Sequence, residues 1–314
     1  MFGSLSSLGL LAWVEPWGNA GARSLDQANS TLFSRAAPAI FVVIWATGFI
    51  VARLVAPHAE PLTFLVARYA LSIAALTAIA TMLREPWPRT LRGWFNAIVA
   101  GVLLQGLYLG GVFWSVRNGL GAGVVALIMS LQPVVTAALA GPLLGEIVPR
   151  RRWVGIGLGL LGVTFVIIPS LNVAGGGLPI TVALAAMLCI TLGTIWQKRT
   201  GSPAHLVTGA VIQFIAALIV TLPAAAILET GVIDSSWQLW VGLIWAVFGL
   251  SVGAILILLV LIRRGAVAQV ASLFYLVPPV AALMAFALFG ETMTALQIIG
   301  TAVAIGGVAI ASRA

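Results

Sequence analysis

Residues 131–146 read LQPVVTAALAGPLLGE, and residues 276–291 read LVPPVAALMAFALFGE. The second stretch is the first displaced by 145 positions. In each copy a Pro stands inside an apolar run, Gly-Glu closes the run, and a Gly-rich apolar stretch follows. Extended to Ala126–Val166 and Ala271–Ala311, the displacement keeps Ala126, Leu131, Pro133, Val135, Ala137, Ala140, Leu143, Gly145, Glu146, Gly155, Gly162 and Val163. In so apolar a chain several of these match by chance. The pairs Pro133/Pro278 and Gly145-Glu146/Gly290-Glu291 are harder to obtain that way. The interval is too long for a solenoid repeat, so the chain reads as one duplicated half-molecule.

Composition sets the solvent. Of 314 residues 61% are hydrophobic and only 8% are charged, against about 25% charged in a soluble domain. A single soluble core cannot hide that much apolar surface, so the medium is a lipid bilayer. The net charge of +8 does not point to nucleic acid. The charges fall in short clusters between apolar runs, as in the loops of membrane proteins. One cysteine, Cys189, allows neither an internal disulfide nor a cysteine-based metal site.

Residues 1–34 lie outside the repeat. Their apolar piece Leu8–Val14 is short, ends at Glu15-Pro16 and lacks a basic start, so it makes a poor signal peptide and reads as a mobile leader. From Arg35 onward ten stretches of spanning length follow, at about 36–56, 62–83, 94–115, 121–143, 152–169, 178–198, 205–228, 237–262, 266–289 and 294–312. Each is near the ~20 residues a helix needs to cross the hydrocarbon. The halves are then residues 35–170 and 171–314, five helices each. No ten-residue stretch alternates polar with apolar, which excludes a membrane β-barrel.

Basic residues set the orientation. With a cytoplasmic N-terminus, that side receives Arg23, Arg35, Arg84, Arg89, Arg92, Arg150, Arg151, Arg152, Lys198, Arg199, Arg263, Arg264 and Arg313. The other side receives only Arg53 and Arg117. Cytoplasmic loops carry the excess of Lys and Arg, so both termini are expected in the cytoplasm. Five spans per half make the halves inverted relative to one another. Inverted repeats that exchange conformations open a central site to one side and then the other.

Several residues stand out within this frame. Glu146 and Glu291 sit in structural turns before a new helix, where a carboxylate suits the amide-rich helix start; substrate or proton contact is the competing reading. Pro133 and Pro278 lie midway along spans four and nine and are read as helix kinks, tolerated where neighbours or a cavity serve the freed carbonyl. Arg68 is the one basic residue well inside a span. It either snorkels back toward Glu60 or offers a contact for a carboxylate. The remaining polar and aromatic residues near span centres are Trp45, Thr47, Gln105, Tyr108, Ser130, Gln132, Thr191, Thr194, Trp245, Ser251, Gln269, Ser272 and Tyr275; each is either a satisfied packing residue or part of a cavity lining. Together they describe an aromatic, weakly polar lining suited to small amphipathic metabolites. No P-loop, HExxH or acidic metal-ligand pair is present, so no cofactor, metal or enzymatic activity is expected. Gly155 and Gly159 have the GxxxG spacing that favours close helix packing.

The stretch Pro61-Leu-Thr-Phe-Leu-Val-Ala-Arg, Pro133 in span four, the two Gly-Glu turns and the Gly-rich helices after them resemble the drug/metabolite transporter superfamily, EamA-domain branch. The resemblance covers about residues 36–312. It implies an all-α polytopic membrane protein of ten helices in two inverted five-helix repeats around a central cavity. It also implies that spans 1, 3, 4, 6, 8 and 9 line the cavity while 5 and 10 are peripheral, which makes Trp45, Gln105, Tyr108, Gln132, Trp245, Ser272 and Tyr275, all on cavity-type spans, the cavity candidates. Span six, with Thr191-Leu-Gly-Thr-Ile, departs from the Trp-containing pattern of Trp45-Ala-Thr-Gly-Phe in span one. The expected function is secondary transport, as an exporter, of a small organic metabolite such as an amino acid across the inner membrane. A membrane-embedded accessory subunit without transport is the alternative. The expected partners are a small-molecule substrate and the lipid bilayer, with the protein a monomer or homodimer.

Overall fold

A computed structural model describes residues 40, 42–144, 150–171, 177–201, 206–255, 257 and 276–312. They form helices α1 (Val42–Val55), α2 (Pro61–Met82), α3 (Leu91–Arg117), α4 (Ala122–Met129), α5 (Gln132–Leu144), α6 (Arg150–Ser170), α7 (Leu178–Thr200), α8 (Leu206–Leu228), α9 (Trp237–Gly253), α10 (Val277–Phe289) and α11 (Ala295–Ser312). Extended pairing among them is confined to one isolated bridge, Ala59 with Ile233. Five helices are long and apolar enough to cross a membrane: α2, α3, α6 from Trp153, α7 and α8. Large apolar side chains face outward along these helices, including Leu71, Leu160, Leu161, Leu188 and Leu222. In water such a surface would be a liability; in lipid it is the ordinary exterior of a helix bundle.

The start of α2 shows how local sequence and tertiary packing share the work. Pro61 opens the helix and has no amide to satisfy. The next two amides, Leu62 and Thr63, donate to the carboxylate of Glu229 at 2.8 and 2.7 Å, and Phe64 donates to the Glu60 carbonyl. Glu229 follows the last residue of α8. At the other end, Glu85, just past α2, accepts from Val207 and Thr208, the second and third residues of α8, at 2.9 Å each. The two helices therefore run antiparallel, and each is capped by a carboxylate from just beyond its partner's end. Leu62 and Thr63 stand 145 positions before Val207 and Thr208, so the contact obeys the displacement first seen in the sequence.

A second self-matched pair is α6 with α11. A Cβ on Gly162 would lie 2.3 Å from the Ala304 nitrogen and 2.5 Å from the Gly300 oxygen; one on Gly307 would lie 2.4 Å from the Gly159 nitrogen and 2.7 Å from the Gly155 oxygen. Displacement by 145 turns Gly155 into Gly300 and Gly162 into Gly307, so the contacts Gly162–Gly300 and Gly307–Gly155 are one contact seen twice. Only glycine allows this backbone approach. The GxxxG spacing thus serves helix packing.

Pro133 stands just after an interruption of its span. Span four is interrupted by a turn at Ser130–Leu131, between the segments α4 and α5. Pro133 is the second residue of α5, where its missing amide would have had no intrahelical partner. Pro278 likewise sits in the first turn of α10; the residues before Leu276 lie outside those described.

Two stretches of π-helix interrupt the α-helical pattern, Val102–Leu107 within α3 and Trp245–Gly253 at the end of α9. They too occupy matching positions of the duplication. A π turn inserts one residue and re-aims the side chains around it, and such turns are frequent at functional sites.

Candidate functional site

The candidates gather at three helix contacts. On α2 and α3, Tyr69, next to Arg68, faces the π stretch that carries Gln105 and is followed by Tyr108. The Tyr69 hydroxyl donates to the Gln105 carbonyl at 2.6 Å. Arg68, Tyr69 and Tyr108 are buried, with Arg68 only 5% exposed. Arg68 Nε and, one helical turn on, Ser72 Oγ are buried without any hydrogen-bond partner. Among the described residues these are the two side-chain atoms in that condition.

This arrangement excludes the snorkelling reading of Arg68. Glu60, its expected partner, is occupied elsewhere: its carboxylate accepts from the Thr230 and Val232 amides at 2.9 Å each and from the Thr230 hydroxyl. The Val232 amide, with Thr230 and Gly231, holds the Glu60 carboxyl below the usual range. Arg68 lies about 10 Å along α2 from the helix start, and it is buried rather than turned out to the surface.

On α1 and α9, the Trp245 indole donates to the Thr47 hydroxyl at 2.7 Å, and Thr47 donates to the Ile44 carbonyl. Trp245 is 42% exposed, while Trp45 is half-buried against the core. On α5 and α7, the Gln132 amide donates to the Thr194 hydroxyl at 3.1 Å, and that hydroxyl donates to Ile190. Ser272, Tyr275 and Glu146 lie outside the described residues.

Glu291 departs from the expected cap. Gly290 takes the left-handed conformation that ends α10 (φ 67°), and the Glu291 amide reaches back to Ala285. Its carboxylate then points to α1 and accepts from Arg53 Nε at 2.8 Å. The start of α11 is served by Thr294 and Gln297 instead: the Thr294 amide donates to the Gln297 side chain at 2.9 Å, and the Gln297 amide donates to the Thr294 hydroxyl.

Sequence reasoning passed over Tyr69, Ser72, Arg53 and the acids Glu85 and Glu229. Ser72 was discoverable, since it stands four residues after the one intramembrane Arg and so shares its face. Arg53 and Glu291 are separated by 238 positions, and no local pattern links them.

Residues 37–168 and 177–313 each match the model of the EamA-like transporter family. A "probable amino-acid metabolite efflux pump" of Salmonella typhimurium is 28% identical over 285 residues, covering 86% of this chain and 92% of its own. An "uncharacterized inner membrane transporter YedA" of Escherichia coli is 28% identical over 258 residues, covering 81% and 82%. A protein of known crystal structure, 18% identical, superposes with a TM-score of 0.60 over 89% of this chain and 96% of that one.

Proposed function

The chain belongs to the EamA-like transporter family, and from that premise we propose that it exports a small amphipathic metabolite bearing a carboxylate. Transport proceeds by alternating access in an inner membrane, without a catalytic step or cofactor. Ten spans form two inverted halves, with both termini cytoplasmic. The antiparallel α2–α8 and α6–α11 contacts, each mapped onto itself by the displacement of 145, support the inverted halves. The names of the bacterial relatives support export and an inner-membrane location.

One observation carries the substrate class: Arg68 Nε and Ser72 Oγ are buried, one turn apart, and unserved. A buried charge without a partner is costly, so the pair is built for an acceptor that comes and goes. A substrate carboxylate supplies oxygens for both. The aromatic surfaces of Trp45, Tyr108 and Trp245 take the apolar part, and Gln105 and Gln132 with Ser272 and Tyr275 take its polar remainder.

The test is thermal stabilisation of purified protein by aliphatic and aromatic amino acids, compared with the same compounds as amides. A ligand at 100 times its Kd stabilises by about 2.7 kcal/mol. An acid should raise the melting temperature of the parent, and neither its amide nor the Arg68→Gln variant should reproduce the rise. Equal stabilisation by acid and amide would remove the carboxylate from the account.

A further inference from the structure

We propose that Arg53 and Glu291 form the gate on one face of the transport chamber. The proposal rests on the transporter reading above. Arg53 lies two residues from the end of α1, and Glu291 lies in the turn between α10 and α11. Their ion pair at 2.8 Å therefore ties elements from opposite halves of the duplication. The Arg53 guanidinium also stands over the Phe289 ring, 5.7 Å from its centre. Gly121, just before α4, approaches so closely that a Cβ there would meet Glu291 Oε2 at 3.0 Å. Three elements, α1, α4 and the end of α10, are thus drawn to one point.

The two helix pairs that each cross the halves along their length are held differently. The α2–α8 pair is held by carboxylate caps at both ends, and α6–α11 by backbone contact along its glycines. Neither can part without stranding half-buried amides or opening a packed seam. The Arg53 and Glu291 side chains are 38% and 21% exposed, so water takes over both groups when they separate. Exposed pairs contribute little net stability, which is what a contact broken in each cycle requires. The scaffold pairs stay joined while this one opens.

The displacement also supplies a counterpart. Lys198 stands 145 positions after Arg53, two residues from the end of α7 as Arg53 is from the end of α1. Its neighbour Trp196 donates to the Asn96 carbonyl in the first turns of α3, at the end of the bundle where Glu85 caps α8. Arg53 belongs to the other end, with the Glu60 and Glu229 turns. Lys198 is thereby the matching basic group on the opposite face.

A reporter cysteine decides the matter without a known substrate. Gln105→Cys, in a Cys189→Ser background, is labelled with a membrane-impermeant maleimide in right-side-out and inverted vesicles. Glu291→Gln should raise labelling from the Arg53 face about two- to fivefold relative to the other face, the range an exposed ion pair allows. Lys198→Gln should shift the ratio the other way, and the swap Arg53→Glu with Glu291→Arg should restore it. An unchanged ratio in Glu291→Gln, or a folded swap variant that stays shifted, overturns the gate. Should Glu291→Gln not accumulate, Glu291→Asp keeps the charge on a shorter arm: an intermediate shift supports the gate and an unshifted ratio overturns it. A parent reporter unreactive from both faces overturns the transporter reading and the gate together. A parent reactive from both faces with unshifted variants overturns the gate alone.

Discussion

Replacing Gly162 by Ala adds one methyl group to the tightest seam in the bundle. That methyl carbon would lie 2.3 Å from the Ala304 nitrogen and 2.5 Å from the Gly300 oxygen. Ordinary van der Waals contact begins near 3.5–4.0 Å, so α6 and α11 must separate by on the order of 1 Å. Neither obstacle is a flexible side-chain end, because both are helix backbone. Separation along the seam also loosens the Gly307–Gly155 and Gly307–Gly159 contacts. Overpacking of this kind costs about 1–3 kcal/mol. Gly157, on the same helix, provides the control. A Cβ there meets nothing within 4 Å, and Gly→Ala in a helix is otherwise favourable by up to about 1 kcal/mol. Thermal unfolding in detergent, followed by intrinsic tryptophan fluorescence, should place Gly162→Ala well below the parent, with roughly 2–4 °C lost per kcal/mol. Gly157→Ala should melt at or above the parent. Equal melting temperatures for the two variants would refute the backbone seam.

Other outcomes follow from the polar contacts. Glu229→Gln and Glu85→Gln should each lower stability by about 0.5–2 kcal/mol, and in a double-mutant cycle the two losses should add, since the caps sit at opposite ends of α2–α8. Glu60 is held below its ordinary range by the Val232 amide, so its contribution is present above the unfolded carboxyl value of about 4.3 and fades as pH falls through the lower folded value. Glu60→Gln should therefore be less stable than the parent at neutral pH, and the difference should vanish in acid; a constant difference would contradict the assignment. Reporter fusions placed between Leu144 and Arg150 should read cytoplasmic, and replacing Arg150, Arg151 and Arg152 together should weaken that orientation. A periplasmic reading there would overturn the inverted halves.

Much of the architecture was legible because lipid imposes a coarse code. Apolar length marks the helices, and the Pro and Gly-Glu landmarks reveal the duplication without any knowledge of contacts. The glycines of α6 and α11 were readable for the same reason, since a repeated small residue in an apolar run has few other uses. What the pattern could not carry was the partner of each charge. Glu60 and Arg68 looked matched because both belong near the start of α2. Yet Glu60 is drawn to amides 170 residues away, and Arg68 is turned into the bundle. Glu291 looked like a cap because it precedes a helix. The left-handed Gly290 sends it toward α1, and Thr294 leaves α11 with no need of it. Pro133 marks the place where span four is interrupted, but a broken span and a kinked one look alike in sequence. The cavity candidates were chosen by depth along their spans. Depth alone does not say that Tyr69, next to Arg68, would be the residue bonded to the π turn.

The reciprocal caps on α2 and α8 also set a clock on assembly. The Leu62 amide finds its acceptor 167 positions later in the chain. At roughly 5–20 residues per second of synthesis, the start of α2 waits on the order of ten to thirty seconds for Glu229 to emerge. Through that interval its bare amides can be served only by water, so this helix start must remain at the membrane surface while the rest of the chain is made. The first half is thus born incomplete, and the second half finishes it.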